Sequence, residues 1–137
     1  MKPEDLMIGD WVQANYYSPQ PGNDYPDEDW RPYQIKSGKE IDEQSQYFQP
    51  LLLTEDIVKK SGFKFCAATD DIVIYQDRET ALAIQFDKND EKSPVIVYDI
   101  WWSDNGLQTS EMVDVEYVHE LQHIIKLLKI DLELCVS

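Results

Sequence analysis

The sequence predicts an α+β fold in which an antiparallel meander carries two helices. Three features lead to this prediction. Short β-prone runs separated by polar turns fill residues 63–112. A capped helical segment precedes them at residues 54–62, and the longest amphipathic pattern of the chain follows at residues 115–130. We therefore expect an antiparallel sheet, one short middle helix and one C-terminal amphipathic helix.

Length and composition favour a single domain. The chain has 137 residues, of which 42% are hydrophobic and 12% aromatic, and this is enough apolar material for one packed core. A soft boundary near residue 50 is the alternative. It would separate a small β unit at residues 1–50 from an α+β unit at residues 51–137.

The charge of the chain narrows the classes of partner. It carries 27 acidic and 12 basic side chains, which gives a net charge of −15. Such a chain repels nucleic acid and anionic membrane surfaces, so we expect it to bind neither directly. A solvated acidic exterior explains the charge. A surface for a basic partner, or an imitation of DNA phosphates, is the alternative explanation.

Short extended segments occupy the first 50 residues. Residues 11–17 alternate as a first strand, residues 32–36 as a returning strand and residues 39–42 as a short third strand. Residues 47–52 resume extended structure, and Pro50 indicates an edge strand or a connector there. These pieces predict a small antiparallel unit of three or four strands.

A long polar loop interrupts this unit at residues 18–31. It contains three prolines and a run of three consecutive acids, which disfavour a strand or a helix. The loop carries Tyr25 and Trp30, with Tyr33 at its base. Aromatic side chains on a polar loop either bind a partner or fold back over the edge of the core. The first alternative makes these three aromatics the candidate binding residues.

The middle helix has both a start and a stop signal. Thr54 is a good N-cap residue, and Glu55 and Asp56 in the first turn complement the helix dipole. Gly62 stands at the expected C-terminal stop. A helix of about two turns is therefore predicted between them.

The second half of the chain predicts successive strands of a meander. A tight turn at Asn105-Gly106 precedes a short last strand at residues 107–112, and residues 132–136 alternate like a closing strand. Trp101 and Trp102 are adjacent in a strand and point to opposite faces. Exposure of one of them, and a dimer formed through it, is an alternative to burial. The earlier strands are expected at residues 63–68, 72–75, 80–86 and 95–102.

The C-terminal helix contains the only two histidines of the chain, in the pattern His119-Glu120-x-x-His123. Residues four apart share a helix face, so both imidazoles could reach one zinc ion while the glutamate activates a bound water. The pattern makes His119 and His123 candidate metal ligands. Glu120 becomes the candidate catalytic residue of a zinc-dependent hydrolase.

The helical periodicity argues against this zinc site. Val118, Leu121, Ile125 and Leu128 form a complete apolar stripe, which leaves both histidines on the opposite side, expected to face water. No histidine follows among residues 124–137 to serve as a third ligand. We therefore expect no cofactor, and enzymatic activity is disfavoured.

The cysteines and the N-terminus indicate an intracellular setting. Cys66 and Cys135 form neither a disulfide framework nor a zinc spacing, and their apolar neighbours predict buried free thiols. The N-terminus has no signal-peptide pattern, and no apolar run reaches the roughly 20 residues of a membrane span. A cytoplasmic protein is expected.

Three segments carry recognisable motifs. Residues 8–12 read IGDWV, residues 50–63 read PLLLTEDIVKKSGF and residues 117–122 read YVHELQ. They resemble, in this order, the segments IGN-[WY]-V, P-I-x-L-T-E-E-x-L-x-x-x-G-F and Y-V-H-x-L-Q-N of small uncharacterised proteins from Bacteroidetes and their phages or mobile elements. The resemblance implies a compact α+β protein with an SH3-like first half and no known activity. Because that group usually has asparagine where this chain has His123, it also implies that the zinc pattern is accidental.

These observations favour a non-enzymatic accessory or protein-binding module, associated with phages or mobile elements. The loop at residues 18–31 is the expected contact surface for a protein or basic-peptide partner. Two alternatives stay open. One is the zinc-dependent hydrolase that would use residues 119–123, and the other is an acidic DNA mimic that sequesters a DNA-binding protein.

Overall fold

The computed structural model describes residues 1–16, 28–89 and 92–136 and has an α+β architecture with antiparallel sheets. The chain divides into two compact units, Met1–Leu51 and Leu52–Ser137. None of the helices in the described ranges is long and apolar enough to cross a membrane. The elements in chain order are β1 (Trp11–Asn15), β2 (Trp30–Gln34), α1 (Gly38–Gln44), β3 (Gln49–Pro50), α2 (Glu55–Lys60), β4 (Lys64–Ala68), β5 (Ile72–Gln76), β6 (Ala83–Asp87), β7 (Val95–Ser103), β8 (Gly106–Asp114) and α3 (Val118–Leu127).

The first unit is built on a three-stranded antiparallel sheet in the order β2-β1-β3. Val12 in the central strand stands opposite Tyr33 on one side and Pro50 on the other. It is fully buried and packs with three other buried side chains, Leu6, Ile35 and Phe48. The SH3-like arrangement stays a prediction.

Residues 39–42, predicted as a strand, belong to helix α1. Ser37 is the N-cap, and its hydroxyl accepts a hydrogen bond from the Glu40 N–H at 3.3 Å. The Glu40 carboxylate reaches back to accept from the Lys36 N–H at 2.8 Å. Serine followed three residues later by glutamate is a helix-start signature. The strand prediction was wrong because these local caps outweigh a weak alternation of four residues.

The second unit contains a five-stranded sheet in the order β4-β5-β6-β7-β8, and this confirms the predicted antiparallel meander. Both faces of its middle strands are buried. Ile74, Ala83, Val95 and Val97 form a cluster on one face. Buried residues on the alternate positions occupy the other face, and they are Val73, Tyr75, Ile84, Phe86 and Ile96. The last strand is longer than predicted, with nine residues.

Helix α2 confirms the predicted middle helix. The Thr54 hydroxyl accepts a hydrogen bond from the Ile57 N–H at 3.3 Å, which caps the first turn. Ile57 and Val58 are the buried residues of the helix. Gly62 follows the helix with φ of 98°, a left-handed conformation that glycine adopts without a steric penalty.

Helix α3 confirms the predicted C-terminal helix but not the whole of its apolar stripe. Val118, Leu121 and Ile125 are buried, with a spacing that places them on one face. Leu128 was expected to continue this stripe and is 51% exposed. The helix ends at Leu127, so Leu128 lies beyond its last turn.

Two predictions about the rest of this unit were wrong. Residues 132–136 do not form a closing strand, and the Cys135 N–H instead donates to the Ser61 hydroxyl at 2.7 Å. Cys66 and Cys135 were expected to be buried and are both exposed. Cys66 lies where the register of β4 shifts between Phe65 and Ala67, so it is the extra residue of a β-bulge.

Candidate functional site

His119 is buried, with 7% of its surface exposed, whereas the helical pattern predicted that it faces water. Its ring stacks on that of Tyr117 at a centroid distance of 5.8 Å and an interplanar angle of 11°. The ring of His123 meets it edge-on at 5.7 Å. A helical wheel gives the direction of a side chain but not the depth of each turn. His119 lies in the first turn of α3 and is buried there, although it is opposite the apolar stripe.

The candidate catalytic residue Glu120 caps the N-terminus of helix α3. Its carboxylate accepts a hydrogen bond from the Tyr117 N–H at 3.0 Å, the backbone group that precedes the first turn. Within residues 1–16, 28–89 and 92–136, no three His, Cys, Asp or Glu side chains are grouped so that they could hold a metal ion. The structure brings His119 and His123 together and adds no third ligand among these residues.

The residues predicted at the aromatic loop are separated. Tyr25 lies outside the described residues. Trp30 begins β2, is half-buried and lines a cavity of about 440 Å³ together with the exposed Tyr47. The indole N–H of Trp30 donates to the Glu28 carboxylate at 3.2 Å. The other residues around this cavity are Ala14, Asn15, Gln44, Gln46, Phe48 and Gln49.

Tyr33, the third predicted binding residue, is committed to contacts within the first unit. Its ring stacks on the buried Phe48 at 5.8 Å, and its hydroxyl donates to the Glu40 carboxylate at 2.6 Å. This hydrogen bond raises the pKa of Tyr33 to about 12, because loss of the proton would place two anions side by side. The same bond lowers the pKa of Glu40.

Cations of the first unit also cover its tyrosine rings. The Lys36 ammonium lies 5.9 Å from the centre of the Tyr33 ring, and the Arg31 guanidinium lies 5.4 Å from that of Tyr16. Both distances are within the range of cation–π attraction. The exposed aromatic surface near β2 therefore already has basic partners of its own.

A second aromatic surface lies at the end of the five-stranded sheet. Strand β6 pairs with β7 only as far as Val97, and beyond this residue β7 pairs with β8 alone. Residues 98–110 therefore form a two-stranded hairpin, which we call the arm. Three of its aromatic side chains are exposed, Tyr98 by 47%, Trp101 by 47% and Trp102 by 65%.

A β-bulge sets the direction of these aromatics. Tyr98 stands opposite Ser110, and Trp101 stands opposite Gln108, so β7 has one more residue than β8 in this interval. Side chains three positions apart in a regular strand point to opposite faces, and the extra residue returns Trp101 to the face of Tyr98. Asp99, in the bulge, has a left-handed φ of 50°, which aspartate tolerates better than most residues.

The other face of the arm is attached to the core. Ile100 and Leu107 are partly buried and pack against the cluster that contains Val97. The Thr109 hydroxyl donates to the Gln85 side chain at 3.1 Å, which links β8 to β6. Packing on one face positions the arm, so Tyr98 and Trp101 are presented on an ordered surface.

The charged residues of the arm itself are all acidic. Residues 93–125 contain no lysine and no arginine. Among the residues that the structure describes, no cation lies over the ring of Tyr98, Trp101 or Trp102, and none of these rings stacks on another aromatic. The acids of the arm and the segment after it are Asp99, Asp104, Glu111, Asp114 and Glu116. The surface thus combines aromatic rings with negative charge.

A cavity of about 640 Å³ lies in the second unit between the start of α2 and the end of β6. Two of the polar side chains that line it stabilise the fold. Thr54 caps α2, and the Glu55 carboxylate accepts from the Tyr75 hydroxyl at 2.9 Å. Thr54 and Glu55 therefore have structural roles in this cavity wall.

Comparison of the chain with family models, with curated protein sequences and with solved structures gave no match. The resemblance to the Bacteroidetes and phage proteins therefore stays a prediction.

Proposed function

We propose that this protein is a non-enzymatic binding module and that the arm binds a basic segment of a partner protein. The observation that supports this most strongly is the exposure of Trp101 and Trp102 on an ordered hairpin. Tryptophan and tyrosine are the residues most enriched among those that dominate binding energy at protein interfaces. Tyr98 and Trp101 share one face of this hairpin, and together they form an exposed aromatic surface suited to a partner.

The chemistry of the partner follows from charge. Aromatic faces attract lysine and arginine, and nearby carboxylates strengthen this attraction. The first unit contains such pairs, in which Lys36 covers Tyr33 and Arg31 covers Tyr16. The arm has the rings and the acids without the cations, so a partner with lysine or arginine side chains would complete the same pairs.

The net charge of −15 also favours a basic partner. A strongly negative protein attracts cationic segments over several ångströms, which raises the association rate at low salt. We expect affinity to fall as salt increases, because part of the attraction is between solvent-exposed charges.

A peptide-binding experiment tests this proposal. The probe is the heptapeptide Lys-Thr-Lys-Thr-Lys-Thr-Lys, and the readout is isothermal titration calorimetry together with chemical-shift perturbation. We expect the double variant Trp101→Ala/Trp102→Ala to bind the peptide at least about tenfold more weakly, as removal of aromatic interface residues does elsewhere. Shift changes should concentrate in residues 98–110.

Phe65→Ala is the matched control. Phe65 is 62% exposed and lies on β4, at the other edge of the same sheet. Its loss removes an exposed aromatic ring without touching the arm, so peptide affinity should be unchanged. The proposal is wrong if the peptide does not bind, or if the two variants lose affinity equally.

A further inference from the structure

We propose that the partner segment binds as an added β-strand along the outer edge of β8, at residues 106–110. This inference rests on the proposed function and specifies its geometry. It concerns backbone pairing, which is separable from the attraction between cations and aromatic rings.

The edges of the two sheets differ in how well they are protected from further pairing. Proteins block exposed edges with proline, with lysine, with bulges or with very short strands. Strand β2 contains Pro32 next to Arg31, and β3 has only two residues, the second of which is Pro50. Strand β4 has five residues, begins at Lys64 and contains a bulge. Each of these three edges has at least one protecting feature.

The first half of β8 has none of these features. Residues 106–110 read Gly-Leu-Gln-Thr-Ser, without proline, without charge and without a register shift on this strand. The acids Glu111 and Asp114 lie in the second half, where the extra residue Met112 also forms a bulge. In the described part of the chain, β8 pairs with β7 only. Its other side presents backbone N–H and C=O groups to a further strand.

The side chains of β8 leave a path from this edge to the aromatic rings. A strand added to β8 would lie about 4.8 Å from it and about 10 Å from β7. Gln108 and Ser110 stand between the new strand and the two rings on that face, Trp101 and Tyr98. Because both intervening side chains are uncharged and one is small, a lysine or arginine can extend across them to a ring. Alternate residues of the partner share this face, so its basic residues should alternate with others.

A second copy of this chain is the competing occupant of the same edge. Two copies would each bring a net charge of −15, and the acids Glu111 and Asp114 of both copies would lie along the new strand pair. Like charges across a strand pair destabilise it. A basic segment removes this repulsion, so we assign the edge to such a segment and not to a second copy.

Backbone N-methylation tests strand addition without changing charge. In an extended peptide, the N–H groups of the lysines point to one edge and those of the threonines to the other. Two modified heptapeptides are made, one N-methylated at every lysine and one at every threonine, and both are titrated into the wild-type protein. We expect one of them to bind at least tenfold more weakly than the parent peptide and the other to bind within twofold of it.

Amide hydrogen exchange of the complex gives a second readout. Alternate amides within residues 106–110 should gain protection when the parent peptide is bound, because their N–H groups face the new strand. If both methylated peptides bind as well as the parent, or if both are weakened equally, strand addition is wrong, although dependence on Trp101 and Trp102 would still support the proposed function. A free protein that sediments as a dimer sensitive to Ser110→Pro would also overturn the assignment.

Discussion

The aromatic side chains of the first unit and those of the arm are of similar type but have different neighbours. Tyr33 stacks on Phe48, donates to Glu40 and lies beneath Lys36. Trp101 and Trp102 lie on a hairpin whose own charged residues are acidic, within a stretch of sequence that has no lysine or arginine from position 93 to position 125. The first set is saturated by contacts within its own unit, whereas the second set has capacity for contacts with another molecule.

This difference shows that exposed aromatic area is a weak guide to a binding surface when it is considered alone. Tyr16 and Tyr98 are equally exposed, at 47% each. Tyr16 already has a cation above its ring, because Arg31 lies beside it. A partner of the first unit would have to displace that contact, and a partner of the arm would not.

The largest expected effect is a difference between the two regions in the loss of unfolding free energy when an aromatic ring is removed. Phe48→Ala removes a buried ring that packs with Val12 and stacks on Tyr33, so it should lower the free energy of unfolding of the first unit by about 3–5 kcal/mol. Trp101→Ala removes an exposed ring and should change stability by no more than about 0.5 kcal/mol. Hydrogen exchange at the Val12 amide, compared with global unfolding in urea, measures the two losses. Equal losses would contradict the distinction between the regions.

The elements that were predicted correctly have signals within a few residues. Thr54 and Gly62 define α2 because capping and left-handed stops depend on local backbone groups alone. The runs of β-branched residues in β5 and β7 are equally local. Helix α1 carried a comparable signal in Ser37 and Glu40, and the prediction missed it because its interior has few apolar residues. Local caps therefore determine the structure here more strongly than a short alternation of apolar and polar residues.

Other features depend on contacts that a sequence does not display. Exposure of both Trp101 and Trp102 results from the end of β6 pairing at Val97, which leaves β7 with one neighbour. His119 is buried in the first turn of α3, where the Tyr117 ring stacks on it, although the helical periodicity directs it away from the apolar stripe. The one available hint was Asp99, a charged residue within the apolar run of β7, and it marks the bulge that directs the arm. The prediction for Tyr25 lies outside the described residues.

A lysine introduced into the arm should make it resemble the first unit. Ser110 stands opposite Tyr98, so Ser110→Lys places an ammonium beside a ring in the way that Lys36 lies over Tyr33. An exposed cation–π pair contributes about 0.5–1 kcal/mol, and a partner that must compete with it should bind roughly two- to fivefold more weakly. Titration of the lysine-threonine heptapeptide measures this, with the uncharged Ser110→Gln as control. If the two variants bind alike, cations do not compete for Tyr98.

The smallest expected effect is the pH dependence of the stability of the first unit. The pKa of Tyr33 is raised to about 12, so the stabilisation from its protonated hydroxyl is complete below the ordinary tyrosine pKa near 10 and is lost as pH rises through 12. The pKa of Glu40 is lowered, so the stabilisation from its ionised carboxylate is present above the ordinary glutamate pKa and is lost as pH falls through the lowered pKa.

Tyr33→Phe removes the shared hydrogen bond and should raise the pKa of Glu40 towards its ordinary value. The carboxyl carbon chemical shift of Glu40, followed as a function of pH, measures this change. Tyr16→Phe leaves that hydrogen bond intact and should not change the pKa of Glu40. An unchanged Glu40 titration in Tyr33→Phe would mean that the Lys36 and Ser37 N–H groups and the charge of Lys36 hold the carboxylate without Tyr33.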